Sequence, residues 1–326
     1  MPFVAKFWGV RGSVPSPLTP EQVRQKVREG ILRSKEGQEI PFEVESTYGG
    51  NTTCVEVNCG DHLFILDMGT GVRELGNAQM GEIMKSKKLH GTILQSHVHW
   101  DHIQGLPFWK PLYLPRRMFD CKFDFYGGKQ WDSQLDLVYR GQMNPPVFPV
   151  DLQELEQTSM NMTFKPIFDG WTAEFSDGKG VPGVTPNGKI KVLARKLFHP
   201  QETFGYRIEY GGKALAFTTD HEPYAGGLPK PLLELVHRAD VWITDCQYSH
   251  DEYLGTTGPQ KMGWGHSYPE YIGQVAHEAK PKMVLTTHHD PEASDWHITE
   301  LADQVESEGK IDTKAAYEGL RYDLDA

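Results

Sequence analysis

Six consecutive residues, His97-Val98-His99-Trp100-Asp101-His102, place three imidazoles and a carboxylate in one short stretch. Side chains this polar and this close cannot all turn into an apolar core, because an unpartnered buried polar group costs on the order of 1–3 kcal/mol. The stretch follows a β-like run, Gly91–Ser96, and precedes Ile103-Gln104-Gly105, so it reads as a tight loop between a strand and a helix. Such a loop can divide its donors between two neighbouring cations, His97 and His99 on the first, Asp101 and His102 on the second. Imidazole and carboxylate donors suit zinc, manganese or iron rather than calcium, and the lack of cysteine in the set argues against a closed structural zinc site.

These residues need elements to hold them. Short β-branched or aromatic runs bounded by turn residues predict strands over Phe3–Trp8, Cys54–Cys59, His62–Leu66, Gly91–Ser96, Val192–Leu197, Phe204–Tyr210, Lys213–Thr219, Asp240–Thr244 and Lys282–Thr287. Five metal-binding residue types directly follow apolar runs of this kind: Asp67, His97, His199, Asp220 and His288. Such a repeat suggests a sheet presenting ligands from one edge, where loops at strand ends carry function. Helices are predicted over Pro20–Ser34, Val72–Lys85, Lys230–Arg238, Tyr268–Lys280 and Trp296–Ser307. The first has a Thr19/Gln22 capping box, Pro20 at its first position and an apolar stripe of Val23, Val27 and Ile31 that predicts packing as an appended arm. The stretch 110–168, rich in proline and aromatics, predicts long loops on the substrate side of a site.

Composition narrows the classes. The chain has 326 residues, with 33 Lys+Arg against 44 Asp+Glu, and that formal charge of −11 argues against a partner gripped mainly through phosphates. No apolar run approaches the roughly 18–20 residues of a membrane span, and the first residues show no signal-peptide pattern, so a cytoplasmic protein with no membrane partner is expected. Cys54, Cys59, Cys121 and Cys246 form no C-x-x-C pair and read as ordinary thiols. The 14 histidines are the unusual count, and His62, His90, His237, His250, His277 and His297 lack a ligand-like setting.

With Phe7-Trp8-Gly9-Val10-Arg11-Gly12-Ser13, Leu66-Asp67-Met68-Gly69-Thr70-Gly71, the histidine motif and Thr287-His288-His289-Asp290-Pro291 in place, the sequence resembles the metallo-β-lactamase superfamily. Within it the resemblance is to the branch of ribonuclease Z and the phosphoribosyl cyclic phosphodiesterase of phosphonate degradation. It implies an α+β fold, an αββα four-layer sandwich of two mixed sheets flanked by helices. It also implies one domain over 1–326 with an inserted helical arm at about 17–46, and a two-cation centre of zinc or manganese, with iron also admitted. Carried over residue by residue, the first cation takes His97, His99 and His199, the second takes Asp101, His102 and His288, Asp220 bridges them, and Asp67 orients the ligand loop. Spacing alone leaves His288 and His289 open; the family's strand-then-histidine pattern favours His288. Where this chain has His99, flavodiiron oxygen reductases have glutamate, and where it has Asp220, true β-lactamases commonly have cysteine. The resemblance therefore implies hydrolysis rather than redox chemistry or β-lactam opening.

Gly265-His266-Ser267 precedes the Tyr268–Lys280 helix, with Ser267 as expected N-cap and Glu270 as its capping-box partner, and a helix N-terminus favours anions. His266 would then act as general acid toward a phosphate ester, and the same Gly-His-Ser context resembles the additional motif of ribonuclease Z and its small-substrate relatives. Gly9–Ser13 and Tyr48–Thr52 could approach substrate from the side or serve only as turns. Three functions follow in rank: a phosphodiesterase on a small cyclic or nucleotide-like diester, a cyclic nucleotide among them; a ribonuclease Z-like enzyme acting on tRNA 3′ ends; and a non-catalytic metal-binding sensor. Homodimerisation, common among the relatives, has no clear mark in the sequence.

Overall fold

The computed structural model describes residues 2–129, 134–177 and 188–326. In chain order the elements are β1 (Phe3–Gly9), α1 (Pro20–Lys35), α2 (Phe42–Glu45), β2 (Cys54–Cys59), β3 (His62–Leu66), α3 (Val72–Ser86), β4 (Lys88–Leu94) and α4 (Trp100–Ile103). There follow β5 (Asp120–Gly128), α5 (Leu135–Gln142), α6 (Leu152–Thr158), β6 (Asn161–Ile167), β7 (Thr172–Ser176), β8 (Lys189–Leu197), β9 (Thr203–Tyr210) and β10 (Lys213–Thr218). The last are α7 (Lys230–Val236), β11 (Val241–Asp245), α8 (His250–Leu254), α9 (Pro269–Ala279), β12 (Val284–Thr287), α10 (Asp295–Gly309), β13 (Thr313–Ala315) and β14 (Arg321–Asp323).

The strands form two mixed seven-stranded sheets, ordered β14-β1-β2-β3-β4-β5-β6 and β13-β12-β11-β10-β9-β8-β7. Period-two alternation explains how they stack. Phe3, Ala5 and Phe7 of β1, Val55 and Val57 of β2, and Phe64 and Leu66 of β3 face inward against Val192 and Ala194 of β8, Tyr206 and Ile208 of β9, and Leu215 and Phe217 of β10. The intervening residues of the central strands are apolar too, because helices cover both outer faces. Ile65, Ile93, Phe123 and Phe125 lie among Val72 and Leu75 of α3, Tyr139 of α5, Leu152 of α6 and the loop residue Trp109. On the other side Ala216, Trp242 and Val284 lie among Leu232, Ile272, Val275 and Leu301 of α7, α9 and α10. The result is the expected four-layer αββα sandwich.

Parallel pairing sets where chemistry can sit. β3 and β4 run parallel, as do β10, β11 and β12, so the carboxyl ends of each set emerge at one edge. Two bonds tie the edges together: Tyr206 donates its hydroxyl to the Gln95 carbonyl at 2.6 Å, and the Phe204 amide donates to the Ser96 carbonyl at 2.9 Å.

Three expectations are corrected. Of the stretch 110–168, residues 130–133 lie outside the described residues, and the remainder is no set of loops: it supplies β5 and β6 to the first sheet and α5 and α6 to its outer layer. In β5 the alternation Cys121, Phe123, Phe125 against Lys122, Asp124, Tyr126 was masked by the prolines and aromatics around it. The α1 capping box forms as expected, but the Val23–Val27–Ile31 stripe does not pack, each side chain being about half exposed. Ion pairing decides which face turns inward. Lys26 Nζ lies 2.6 Å from Oδ2 of buried Asp295 and also donates to the Glu43 and Ser46 carbonyls, joining Arg11, 3.8 Å from Oδ1, in pairing that carboxylate. The third correction concerns Ser267. Pro269 takes the first position of α9, which makes Tyr268 the N-cap, and no side chain caps that end.

Candidate metal centre

The edge where both sets of strands end gathers Asp67, His97, His99, Asp101, His102, His199, Asp220, His266 and His288. Asp67, Asp220 and His288 each adopt a left-handed backbone just beyond the end of a strand, with φ of 62°, 55° and 57°. For a side-chain-bearing residue this costs on the order of 1–3 kcal/mol, a strain that clusters at functional sites. It turns the chain sharply, so the side chain projects across the edge rather than along a face.

Four atoms converge on one point. His102 Nε2 lies 3.1 Å from His288 Nε2, 3.3 Å from Asp101 Oδ2 and 3.4 Å from Asp220 Oδ1, and His288 Nε2 lies 3.2 Å and 3.3 Å from the same two oxygens. A tetrahedral cation with ligands about 2.0–2.1 Å away separates them by roughly 3.3 Å, so the spacing fits a zinc-sized ion. Beside this point His97, His99 and His199 pack ring against ring, with centroids 4.5 Å to 4.9 Å apart. Asp220 Oδ2 lies 3.5 Å from His97 Nε2. One carboxylate thus offers an oxygen to each group, and the donor atoms of His97, His99, His199 and Asp220 all lie within 4.8 Å of one another.

The donor chemistry fits cations as well. His97 Nε2 and His199 Nε2 are buried and have no hydrogen-bond partner, a costly state unless an ion takes the lone pair. Burial lowers the His97 pKa well below the ordinary imidazole value and the His199 pKa to about 4, so both rings are neutral. Burial would raise Asp220, but His288 and His102 outweigh it and hold the carboxylate ionised.

Neighbouring groups fix the rings. Asp67, fully buried, accepts from the Ser96 amide at 2.7 Å, the Ser96 hydroxyl at 2.7 Å and Gln95 Nε2 at 2.8 Å, and lies 2.8 Å from His102 Nδ1. That leaves His102 Nε2 for the centre. Gln95 and Ser96 follow the end of β4, the Gln95 amide still donating to the Tyr126 carbonyl of β5 at 2.8 Å. Gly9–Ser13 and Tyr48–Thr52 lie behind the centre: the Ser13 amide donates to Asp101 Oδ2 at 2.7 Å and the Thr52 hydroxyl to the Asp101 carbonyl at 2.6 Å. At Gly12 a Cβ would come within 2.3 Å of His288 Nδ1, so only glycine leaves that ring in place. His289 turns away, its Nε2 2.9 Å from the Ala316 carbonyl.

Ser267 does not cradle an anion. Its amide donates to Asp245 Oδ2 at 2.9 Å and its hydroxyl to the His221 carbonyl. His266 stacks on His288 at 4.9 Å, with Nδ1 3.4 Å from Asp245 Oδ2 and 4.0 Å from Asp220 Oδ2. Asp245 and Gln247 were missed from sequence, although Asp245 ends β11 just as Asp67 and Asp220 follow their strands. Gln247 Oε1 lies 2.9 Å from His288 Nδ1 and selects the tautomer that presents Nε2. Gln247→Ala is expected to weaken cation affinity about 10- to 100-fold, measured by competition with a chromophoric chelator.

Residues 63–289 match the family model for the beta-lactamase superfamily domain. The chain is 25% identical to ribonuclease BN of Cronobacter sakazakii over 73% of its own length and 83% of that protein's. The metallo-beta-lactamase fold protein YhfI of Bacillus subtilis superposes with a TM-score of 0.63 at 14% identity, covering 99% of this chain and 100% of that one. A diphosphatase of the PhnP family gives a TM-score of 0.60 at 17% identity, covering 98% and 97%. At such identities the two structural likenesses concern the fold alone.

Proposed function

The chain belongs to the beta-lactamase superfamily, and from that premise we propose that it is a two-cation phosphodiesterase acting on a small cyclic or nucleotide-like diester. The observation that carries the reading is Asp220, whose oxygens face two separate donor sets, His102 with His288 and Asp101 on one side, His97 with His99 and His199 on the other. Two divalent cations, zinc or manganese, held by these residues would polarise a phosphoryl group and supply a nucleophilic water near neutral pH. The chain's own part is to hold donors and move a proton. Asp67 and Gln247 lock the tautomers of His102 and His288, and the Ser13 amide fixes Asp101. His266, beside Asp220 and backed by Asp245, donates a proton to the departing alkoxide as general acid.

Identity to a ribonuclease BN supports a second reading, cleavage of tRNA 3′ ends. Charge ranks it below the first: the chain carries −11, and three of the five cations of α1 are paired, Arg24 with Glu21 at 2.8 Å, Arg33 with Glu29 at 2.9 Å and Lys26 with Asp295. Assays of the manganese- or zinc-loaded chain on bis(4-nitrophenyl) phosphate, cyclic nucleotides, cyclic ribose phosphates and precursor tRNA test the order. Turnover of the small diesters is expected; preference for precursor tRNA would reverse the ranking, and turnover of none would leave a metal-binding protein without this activity.

A further inference from the structure

We propose that the loop Lys261–Trp264 is a base-binding subsite beside the metal centre, where the Trp264 indole stacks on the base of a nucleoside cyclic phosphate; this rests on the phosphodiesterase reading above. Trp264 is 51% exposed although it stands two residues before buried His266. Its position is not that of a free loop tip. Glu222, only 7% exposed, accepts at Oε2 from the Gly263 amide at 2.9 Å and the Gly265 amide at 3.1 Å, clamping the backbone on both sides of the indole. Those glycines have φ of 87° and 93°, and a Cβ on Gly265 would come within 2.1 Å of the His199 ring. A buried carboxylate and two left-handed glycines thus hold one large aromatic ring open to solvent, the preorganisation expected of a contact surface.

Ring contacts connect that surface to the chemistry. Trp264 meets Tyr248 edge-on at 6.5 Å, Tyr248 meets His266 at 5.8 Å, and His266 stacks on His288. Lys261 Nζ sits 4.4 Å from the Trp264 ring centroid and 5.1 Å from that of Tyr248, bringing a positive charge to an aromatic wall where an anionic ester would lie. Lys261 also borders a hollow of about 480 Å³ lined by Glu252, Asp290 and Glu292, which Trp264 does not line. A preorganised exposed indole beside a cation matches a nucleoside phosphate better than a base-free sugar phosphate.

The test compares kcat/KM of the cation-loaded chain for adenosine 3′,5′-cyclic monophosphate and for a base-free ribose cyclic phosphate. Trp264→Ala is expected to lower the ratio of the two about tenfold or more, and Trp264→Phe to restore most of it. Calorimetry gives a second readout: the wild-type chain should bind AMP more tightly than ribose 5-phosphate, and Trp264→Ala should lose that preference. An unchanged ratio and unchanged preference in Trp264→Ala would overturn the subsite while leaving the phosphodiesterase reading intact. Cleavage of neither diester would overturn the cyclic-nucleotide assignment, and inertness toward bis(4-nitrophenyl) phosphate as well would fail the phosphodiesterase reading itself.

Discussion

Replacing Asp220 with alanine is expected to lower diester hydrolysis by at least about 10³-fold and to reduce the number of tightly held cations per chain. The carboxylate faces both donor sets, with Oδ1 3.4 Å from His102 Nε2 and Oδ2 3.5 Å from His97 Nε2. Cation-borne stabilisation of transition-state charge amounts to several kcal/mol, and each ~1.4 kcal/mol is tenfold in rate. Asp220→Asn, which keeps one oxygen and nearly the same volume, should retain a single cation. Elemental analysis of dialysed protein beside single-substrate kinetics checks both, and full activity in Asp220→Ala would remove the bridging role.

His266→Ala should separate proton donation from cation binding. For a diester with an alkoxide leaving group, kcat is expected to fall about 10²- to 10⁴-fold, the usual worth of a positioned acid. For bis(4-nitrophenyl) phosphate, whose leaving group departs without a proton, the loss should stay within about tenfold. The geometry behind this is the His266 ring stacked on His288, its Nδ1 3.4 Å from Asp245. Equal losses on the two substrates would instead make His266 a positioning or ligand residue, consistent with its place near Asp220 and His288.

How much of this was legible in the sequence depends on how local each cause is. His97 to His102 stand out because polar density within six residues has no core explanation, and β2 and β3 because short apolar runs end at clear turns. Asp67, Asp220 and His288 were readable as strand-end residues, but their left-handed backbones belong to the folded edge. Asp245 and Gln247 escaped because their work is done across the fold, on Ser267 and His288, and their neighbours in sequence say nothing of it. Local rules misled at two places. Ser267 fits an N-cap pattern, yet Pro269 shifts the cap and Asp245 claims the Ser267 amide. The α1 stripe fits an inward face, yet buried Asp295 draws Lys26 inward and leaves Val23, Val27 and Ile31 outside. In α1 a long-range charge overrides a local preference; at Ser267 a second local signal, Pro269, does so first.

The proposed two-cation cleavage of a phosphodiester rests on the donors gathered at one buried edge. Its most direct test is a titration of chelator-stripped protein with zinc or manganese, following bound metal and bis(4-nitrophenyl) phosphate hydrolysis in the same samples. Negligible turnover in the stripped chain, activity that rises with occupancy, and saturation at two cations per chain are expected. Saturation at one or none, or hydrolysis that persists undiminished in chelator, would contradict it.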